Sequence, residues 1–202
     1  MQVERIMGPV FKSLCHFVGK AHDANEKITI PVFDGGFIAI EAEVILELSV
    51  DIAPGSVDAT DDVAQYVKAA YAGIEIASSP VPDLNDYGPA AIASDFGNNY
   101  GMIVGAPIAD WASKLAEIET KVLINDELVN AAPANNVLNG QMAALTYIID
   151  CAAQRGITLK AGEFICSGAI TGVHETVVGA TSTVSFEGAG DLNVEFAAVT
   201  TG

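Results

Sequence analysis

Residues 38–48 alternate without a break. Ile38, Ile40, Ala42, Val44, Leu46 and Leu48 fall on one side, and Glu41, Glu43 and Glu47 on the other. A period of two marks a β-strand, because successive side chains point to opposite faces of a sheet. Shorter alternation over Lys27–Val32, ahead of the turn Asp34-Gly35-Gly36, predicts a strand just before it. Asp51 to Ala59 reads as a loop with Pro54 and Gly55. Val63, Val67, Ala70 and Ile74 then recur along one side of a helix. With Thr60 as N-cap and Asp61 and Asp62 in the first turn, that helix is expected to run to about Gly73. Gly73–Ala77 reads as a short buried strand, in which Glu75 faces away from the layer made by Ile74 and Ile76.

Elsewhere the pattern is shorter. Pro9–Val18 has Val10, Phe11, Leu14 and Phe17 at helical spacing, and the polar stretch to Lys27 reads as a loop. Ser78–Gly88 is turn-rich, and Ala90–Asn99 ends in the glycine- and asparagine-rich patch Asp95-Phe96-Gly97-Asn98-Asn99. Tyr100–Val104 reads as a strand. Lys114–Asn125 and Glu127–Ala131 read as a hairpin turning at Asn125-Asp126. Asn139–Arg155 gives the clearest helix, with Met142, Leu145, Ile148, Ile149 and Ala152 as its buried stripe and Gly156 as its stop. Three further strands follow at Glu163–Ser167, Thr181–Glu187 and Asp191–Ala198, the last two flanking Gly188-Ala189-Gly190. The expected class is α+β: strand-rich, with two or three helices inserted. No repeat or linker interrupts residues 1–202, which read as a single domain.

Half of the chain is apolar and only 17% charged, which excludes a disordered or tail-like chain. A formal net charge of −17 argues against nucleic acid or an anionic membrane as partner. It also means that an anionic substrate needs a local positive centre, which a metal ion supplies. Cys15, Cys151 and Cys166 are odd in number and widely spaced, and read as buried free thiols in a reducing compartment. His16, His22 and His174 are equally scattered, which weighs against a histidine-based zinc site. No signal peptide opens the chain and no apolar run is long enough to span a bilayer, so a soluble cytoplasmic protein is expected.

The glutamate strand carries the chemistry. Carboxylates one pleat apart repel unless something cationic or protic stands between them, and a hard divalent ion such as Mg²⁺ or Mn²⁺ takes oxygen ligands. The competing reading is a half-solvated strand with its acids in water.

Several blocks together resemble the fumarylacetoacetate hydrolase superfamily, most closely its branch of 2-keto-4-pentenoate (2-hydroxypenta-2,4-dienoate) hydratases and 4-oxalocrotonate decarboxylases. They are Ile40-Glu41-Ala42-Glu43-Val44, Ile74-Glu75-Ile76-Ala77-Ser78, the stretch from Ala93 to Gly101, the hairpin Lys121–Val129, and the run from Leu159 to Gly172. Order and spacing fit from about Pro9 to the C-terminus. The last block is fairly specific; Glu-x-Glu alone is not.

The resemblance implies a mixed β-sheet roll whose active site opens at one end. It implies that Glu41, Glu43 and Glu75 ligate Mg²⁺ or Mn²⁺. Glu47, a further pleat along, reads as solvated or as a neighbour of the site. A 2-oxo acid substrate would chelate the ion, which stabilises an enolate, after which a hydratase adds water or a decarboxylase loses CO₂. Ser167, Gly168 and Thr171 match the loop that holds the substrate carboxylate in relatives, although turn chemistry explains the two hydroxyls nearly as well. Lys121, opposite Glu119, offers a positive charge to the pocket or is a surface lysine. Relatives commonly form homo-oligomers.

Three departures stand against the pattern. Relatives carry an N-terminal segment ending in a Lys-x-Gly-x-Thr-Ser strand, whose lysine is assigned a catalytic role, and this chain reads as starting after it. An aspartate expected near Phe11-Lys12-Ser13-Leu14-Cys15-His16-Phe17 is absent until Asp23, leaving His16 or His22 to substitute as acid or base and Lys12 to replace the missing lysine. An arginine that often follows the third ligand is replaced by Ser79-Pro80. The metal half of the apparatus is therefore expected and the proton-transfer half is incomplete, with no catalytic acid or base assigned. The reading is a hydratase-like lyase of 2-oxo or 2-hydroxy-dienoic acids. The alternatives are a decarboxylase or tautomerase, an impaired 2-oxo-acid-binding protein or subunit of a hetero-oligomer, and a plain binding domain with solvated glutamates.

Overall fold

The computed structural model describes residues 27–58 and 61–199. The helix expected over Pro9–Val18, the candidates Lys12, His16 and His22, the thiol of Cys15 and the cap Thr60 lie outside the described residues.

The alternating segment forms β2 (Phe37–Leu48), preceded by β1 (Lys27–Val32). Strand β2 is buried on both faces, Glu41 alone being half-exposed. This follows from its central place, with β3 (Val67–Ser79) on one side and the short later strands on the other. The helix expected over residues 61–73 is instead one 3₁₀ turn, Val63–Tyr66, followed directly by β3. Asp62, accepting from the Ala64 amide at 3.0 Å, caps that turn. Val67, Ala70 and Ile74 satisfy a helical period, but Ala70, Ala72, Ile74 and Ile76 satisfy a period of two equally well. Pairing with β2 over nearly its whole length decides between them.

The chain continues through α1 (Pro89–Ser94), β4 (Asn99–Pro107), α2 (Trp111–Lys114) and the hairpin β5 (Glu119–Ile124) and β6 (Glu127–Pro133). The residues before Glu119 form α2 and a turn, so the hairpin is shorter at its start than the sequence suggests. Next come α3 (Gln141–Gln154), β7 (Phe164–Cys166), β8 (His174–Glu175), β9 (Thr181–Phe186) and β10 (Gly190–Ala198).

Two sheets result. One has the order β4-β3-β2-β7, with β8 also on β2; the other runs β1-β10-β9-β5-β6, in which β1 is parallel to β10. One connected core draws on both: Ile40, Val44, Ile74, Ile76 and Ile103 from the first, Ile30, Val122, Val184, Val194 and Phe196 from the second. Leu145 and Ile149 of α3 join it. The architecture is α+β and strand-rich, with three α-helices among the described residues. Among the described residues no helix is long and apolar enough to cross a membrane.

Candidate metal centre

The even-numbered residues of β2 enter the core, so the odd-numbered ones share the opposite face of the sheet. Antiparallel pairing sets Glu41 directly across from Glu75 and Glu43 across from Gly73. On the other side of β2, Ile45 pairs with Cys166 of β7. Residues directly opposite in a ladder share a face. Glu41, Glu43, Glu75 and Cys166 are therefore on one face, drawn from three strands. Gly73 makes room there: a Cβ at that position would sit 2.3 Å from Ile45 Cδ1.

Backbone and amide donors fix the carboxylates. The Gly168 N–H donates to Glu43 Oε2 at 3.0 Å, and Asn99 Nδ2 donates to Glu75 Oε1 at 2.8 Å. Gly168 has φ +119°, a region that L side chains rarely adopt. Its loop is anchored by the Ile170 N–H on the Ala42 carbonyl at 2.9 Å. From the hairpin side, Asn130 Nδ2 donates to the Thr171 carbonyl and Asn136 Nδ2 to the Ile170 carbonyl, both at 2.8 Å.

Glu43 is 2% exposed. Burial, then the charge of Glu75, pushes its carboxyl up to about 8, against the opposing pull of the Gly168 N–H. Burial and Glu75 likewise push Glu41 up to about 7. The Cys166 thiol is driven upward by burial first and then by Glu43 and Glu75. Among the described residues no lysine, arginine or histidine forms an ion pair with any of the three glutamates. One buried and two half-buried carboxylates gathered in this way suit a hard divalent cation, whose charge offsets the repulsion and whose coordination takes oxygen donors.

The other sequence candidates are placed as follows. Glu47 is not solvated. It is 7% exposed, accepts from Lys68 Nζ at 2.7 Å and from Tyr71 Oη at 2.6 Å, and pairs in the ladder with Phe164, whose ring meets Tyr71 edge-on. Lys121 does not join the glutamates: it lies in the other sheet, on the face opposite buried Thr120 and Val122, paired with Glu119. The Ser167 hydroxyl donates to the Val44 carbonyl at 2.5 Å. Thr171 Oγ1 lies 3.0 Å from His174 Nε2. Of the loop residues, Gly168 alone touches a glutamate of the cluster.

Sequence reasoning missed Cys166 as a neighbour of the glutamates, and Asn99, Asn130 and Asn136 as their supports. Cys166 Sγ and one oxygen each of Glu43 and Glu75 lie within 4.8 Å of one another. No spacing along the chain encodes that meeting, because it is made by cross-strand register. Cys151 and Cys166 are free thiols as the sequence suggests, but half-buried rather than buried.

No protein-family model and no curated protein sequence matches the chain. Solved structures do. Two are of 4-oxalocrotonate decarboxylase from Pseudomonas putida G7, one complexed with calcium and acetate and one with magnesium and adipate. They superpose with TM-scores of 0.69 and 0.71 at 21% and 20% identity, covering 84% of this chain and 65% and 66% of theirs. Fumarylpyruvate hydrolase from Pseudomonas aeruginosa, in complex with Mn²⁺ and pyruvate, superposes with a TM-score of 0.63 at 13% identity, over 86% of this chain and 71% of that one. A yeast fumarylacetoacetate hydrolase family protein gives 0.62 at 17% identity, over 91% and 79%. The chain thus spans just under two thirds of the length of the decarboxylase. It shares its fold with these structures.

Proposed function

We propose that this chain is a divalent-cation-dependent enzyme acting on a 2-oxo or 2-hydroxy-dienoic acid, with Glu41, Glu43 and Glu75 holding Mg²⁺ or Mn²⁺. The observation that carries the reading is the gathering of three carboxylates on one sheet face, with no cationic side chain paired to them among the described residues. The ion, when bound, polarises the substrate carbonyl and offsets the negative charge that develops on it. The protein's own contribution is positional. The Gly168 N–H holds one oxygen of Glu43 and leaves the other to point elsewhere, and Asn99 does the same for Glu75. Glu43 is buried and Glu75 half-buried, which limits the screening by water of the charges that would grip a substrate.

Within this class the hydratase chemistry suggested by the sequence blocks is our first reading, which makes the chain a carbon–oxygen lyase. Decarboxylation of a 2-oxo acid is the second, favoured by the likeness in fold to 4-oxalocrotonate decarboxylase. Mn²⁺ and pyruvate together in the fumarylpyruvate hydrolase support a 2-oxo acid as ligand class for either reading.

The test is calorimetric titration of Mg²⁺ and Mn²⁺ into chelator-stripped protein, alone and with oxalate as an enolate mimic. Binding that oxalate strengthens, and that is lost in the Glu41→Gln, Glu43→Gln double variant, is the expected result. Turnover of a dienol substrate then separates hydratase from decarboxylase by product: a hydrated 2-oxo acid or CO₂. Absence of metal binding in the native chain would leave only the fold.

A further inference from the structure

We propose that Cys166 is a ligand to the same ion, so that the centre holds sulfur beside oxygen and prefers borderline cations over Mg²⁺. The proposal rests on the metal reading above and adds a donor that the three-glutamate pattern does not contain.

The argument is geometric. Ile45 and Cys166 are ladder partners, which turns the Cys166 side chain to the face that carries Glu43 and Glu75. One donor atom from each of Glu43, Glu75 and Cys166 falls in a single group, no two of them more than 4.8 Å apart. Ligand bonds of about 2.0–2.3 Å let one ion bridge such a group after small side-chain rotations. The sulfur and the Glu75 carboxylate thus lie on one face of the sheet and within reach of one ion. Strand β7 and the Gly168 contact to Glu43 hold this part of the backbone against β2.

Chemistry sets the consequence. Mg²⁺ demands hard oxygen ligands in near-ideal octahedral order, whereas Mn²⁺, Co²⁺ and Zn²⁺ accept thiolate increasingly well. On binding, a metal–sulfur bond forms, the S–H bond breaks, and the proton passes to solvent buffer. No oxidant or reductant takes part.

The experiment is titration of Co²⁺ into the full chain under reducing conditions, followed in parallel by calorimetry and by near-ultraviolet absorption. Native protein should bind Co²⁺ and develop a thiolate-to-cobalt charge-transfer band. The Cys15→Ser, Cys151→Ser variant should keep the band. Cys166→Ser, with Cys166→Ala as a second form checked for native circular dichroism, should bind Co²⁺ without it. Its preference for Co²⁺ over Mg²⁺ should fall by about 10-fold or more. Co²⁺ bound by native protein with no band, or a band that survives in both Cys166 variants, overturns the proposal while sparing the metal reading. No Co²⁺ binding, with Mg²⁺ and Mn²⁺ also failing to bind, overturns both.

Discussion

Glu43 and Glu47 lie four residues apart on the same face of β2, and both are buried, but their surroundings are opposite in kind. Glu47 meets a lysine ammonium and a tyrosine hydroxyl, one for each carboxylate oxygen. Glu43 meets one backbone N–H and the charges of Glu41 and Glu75. A buried charge is tolerated when it is paired and hydrogen-bonded. By that standard the Glu47 end is complete as folded, and the Glu43 end is complete only with a cation. A single strand thus carries a structural carboxylate and a candidate functional one, and sequence alternation alone cannot tell them apart.

The comparison is sharpened most by removing the cluster. Glu43→Gln with Glu75→Gln should weaken Mn²⁺ binding by more than about 100-fold, beyond the 10–100-fold typical of outer contacts. Calorimetry reads this directly. Glu47→Gln should leave Mn²⁺ affinity within about twofold, since Lys68 and Tyr71 hold that group apart from the ion.

Between the two ends stands the packing of Ile45 over Gly73. Gly73→Ala places a methyl group against Ile45 Cδ1, and overpacking of this kind costs about 1–3 kcal/mol, measurable by urea unfolding.

The two glutamates should also differ in sign when the metal-free protein is unfolded. Glu47→Gln should destabilise it by about 1–2 kcal/mol: hydrogen bonds to a charged group are lost, while the exposure of Lys68 limits the ion-pair share. Glu43→Gln should stabilise it by about 1 kcal/mol or more, because a raised pKa reports an ionised form that folding disfavours.

The same shifts set a pH dependence. Glu41 and Glu43 titrate at about 7 and about 8, against an ordinary 4.5. Raised folded values mean that their contribution to stability is fully present below pH 4.5 and is lost as pH rises through 7 and 8. The metal-free thermal midpoint should fall across that interval, and the fall should be smaller in Glu43→Gln. Metal binding should strengthen over the same interval, because the ligands must be deprotonated. The smallest effect belongs to Lys121→Met, expected to change stability by less than about 0.5 kcal/mol and metal affinity not at all.

Much of this was legible in the chain. The period-two run over 38–48, the hairpin turn at Asn125-Asp126 and the helix ending before Gly156 were each readable because local pattern and tertiary need agree there. The segment over 61–73 was not, since alanines and valine at helical spacing fit either period until β2 offered a partner. The face shared by Glu41, Glu43 and Glu75 followed from alternation once both segments are strands. The state of each acid did not follow. Lys68 and Tyr71 reach Glu47 from a segment misread as helix, and Cys166 reaches Glu43 through a register some 120 residues away along the chain. Ser167, Thr171 and Lys121 looked chemical because hydroxyls and ammonium groups suit a carboxylate. In the fold, Ser167 serves a carbonyl of β2 and Lys121 pairs with its strand neighbour.

The most direct test of the contrast is the thermal midpoint of chelator-stripped native protein, Glu43→Gln and Glu47→Gln, each with and without Mn²⁺. A ligand at about 100 times its dissociation constant adds about 2.7 kcal/mol, or several degrees for a chain of this length. Mn²⁺ should raise the midpoint of native protein and of Glu47→Gln by such an amount and leave Glu43→Gln unmoved. An equal rise in Glu43→Gln, or none in native protein, would contradict the account.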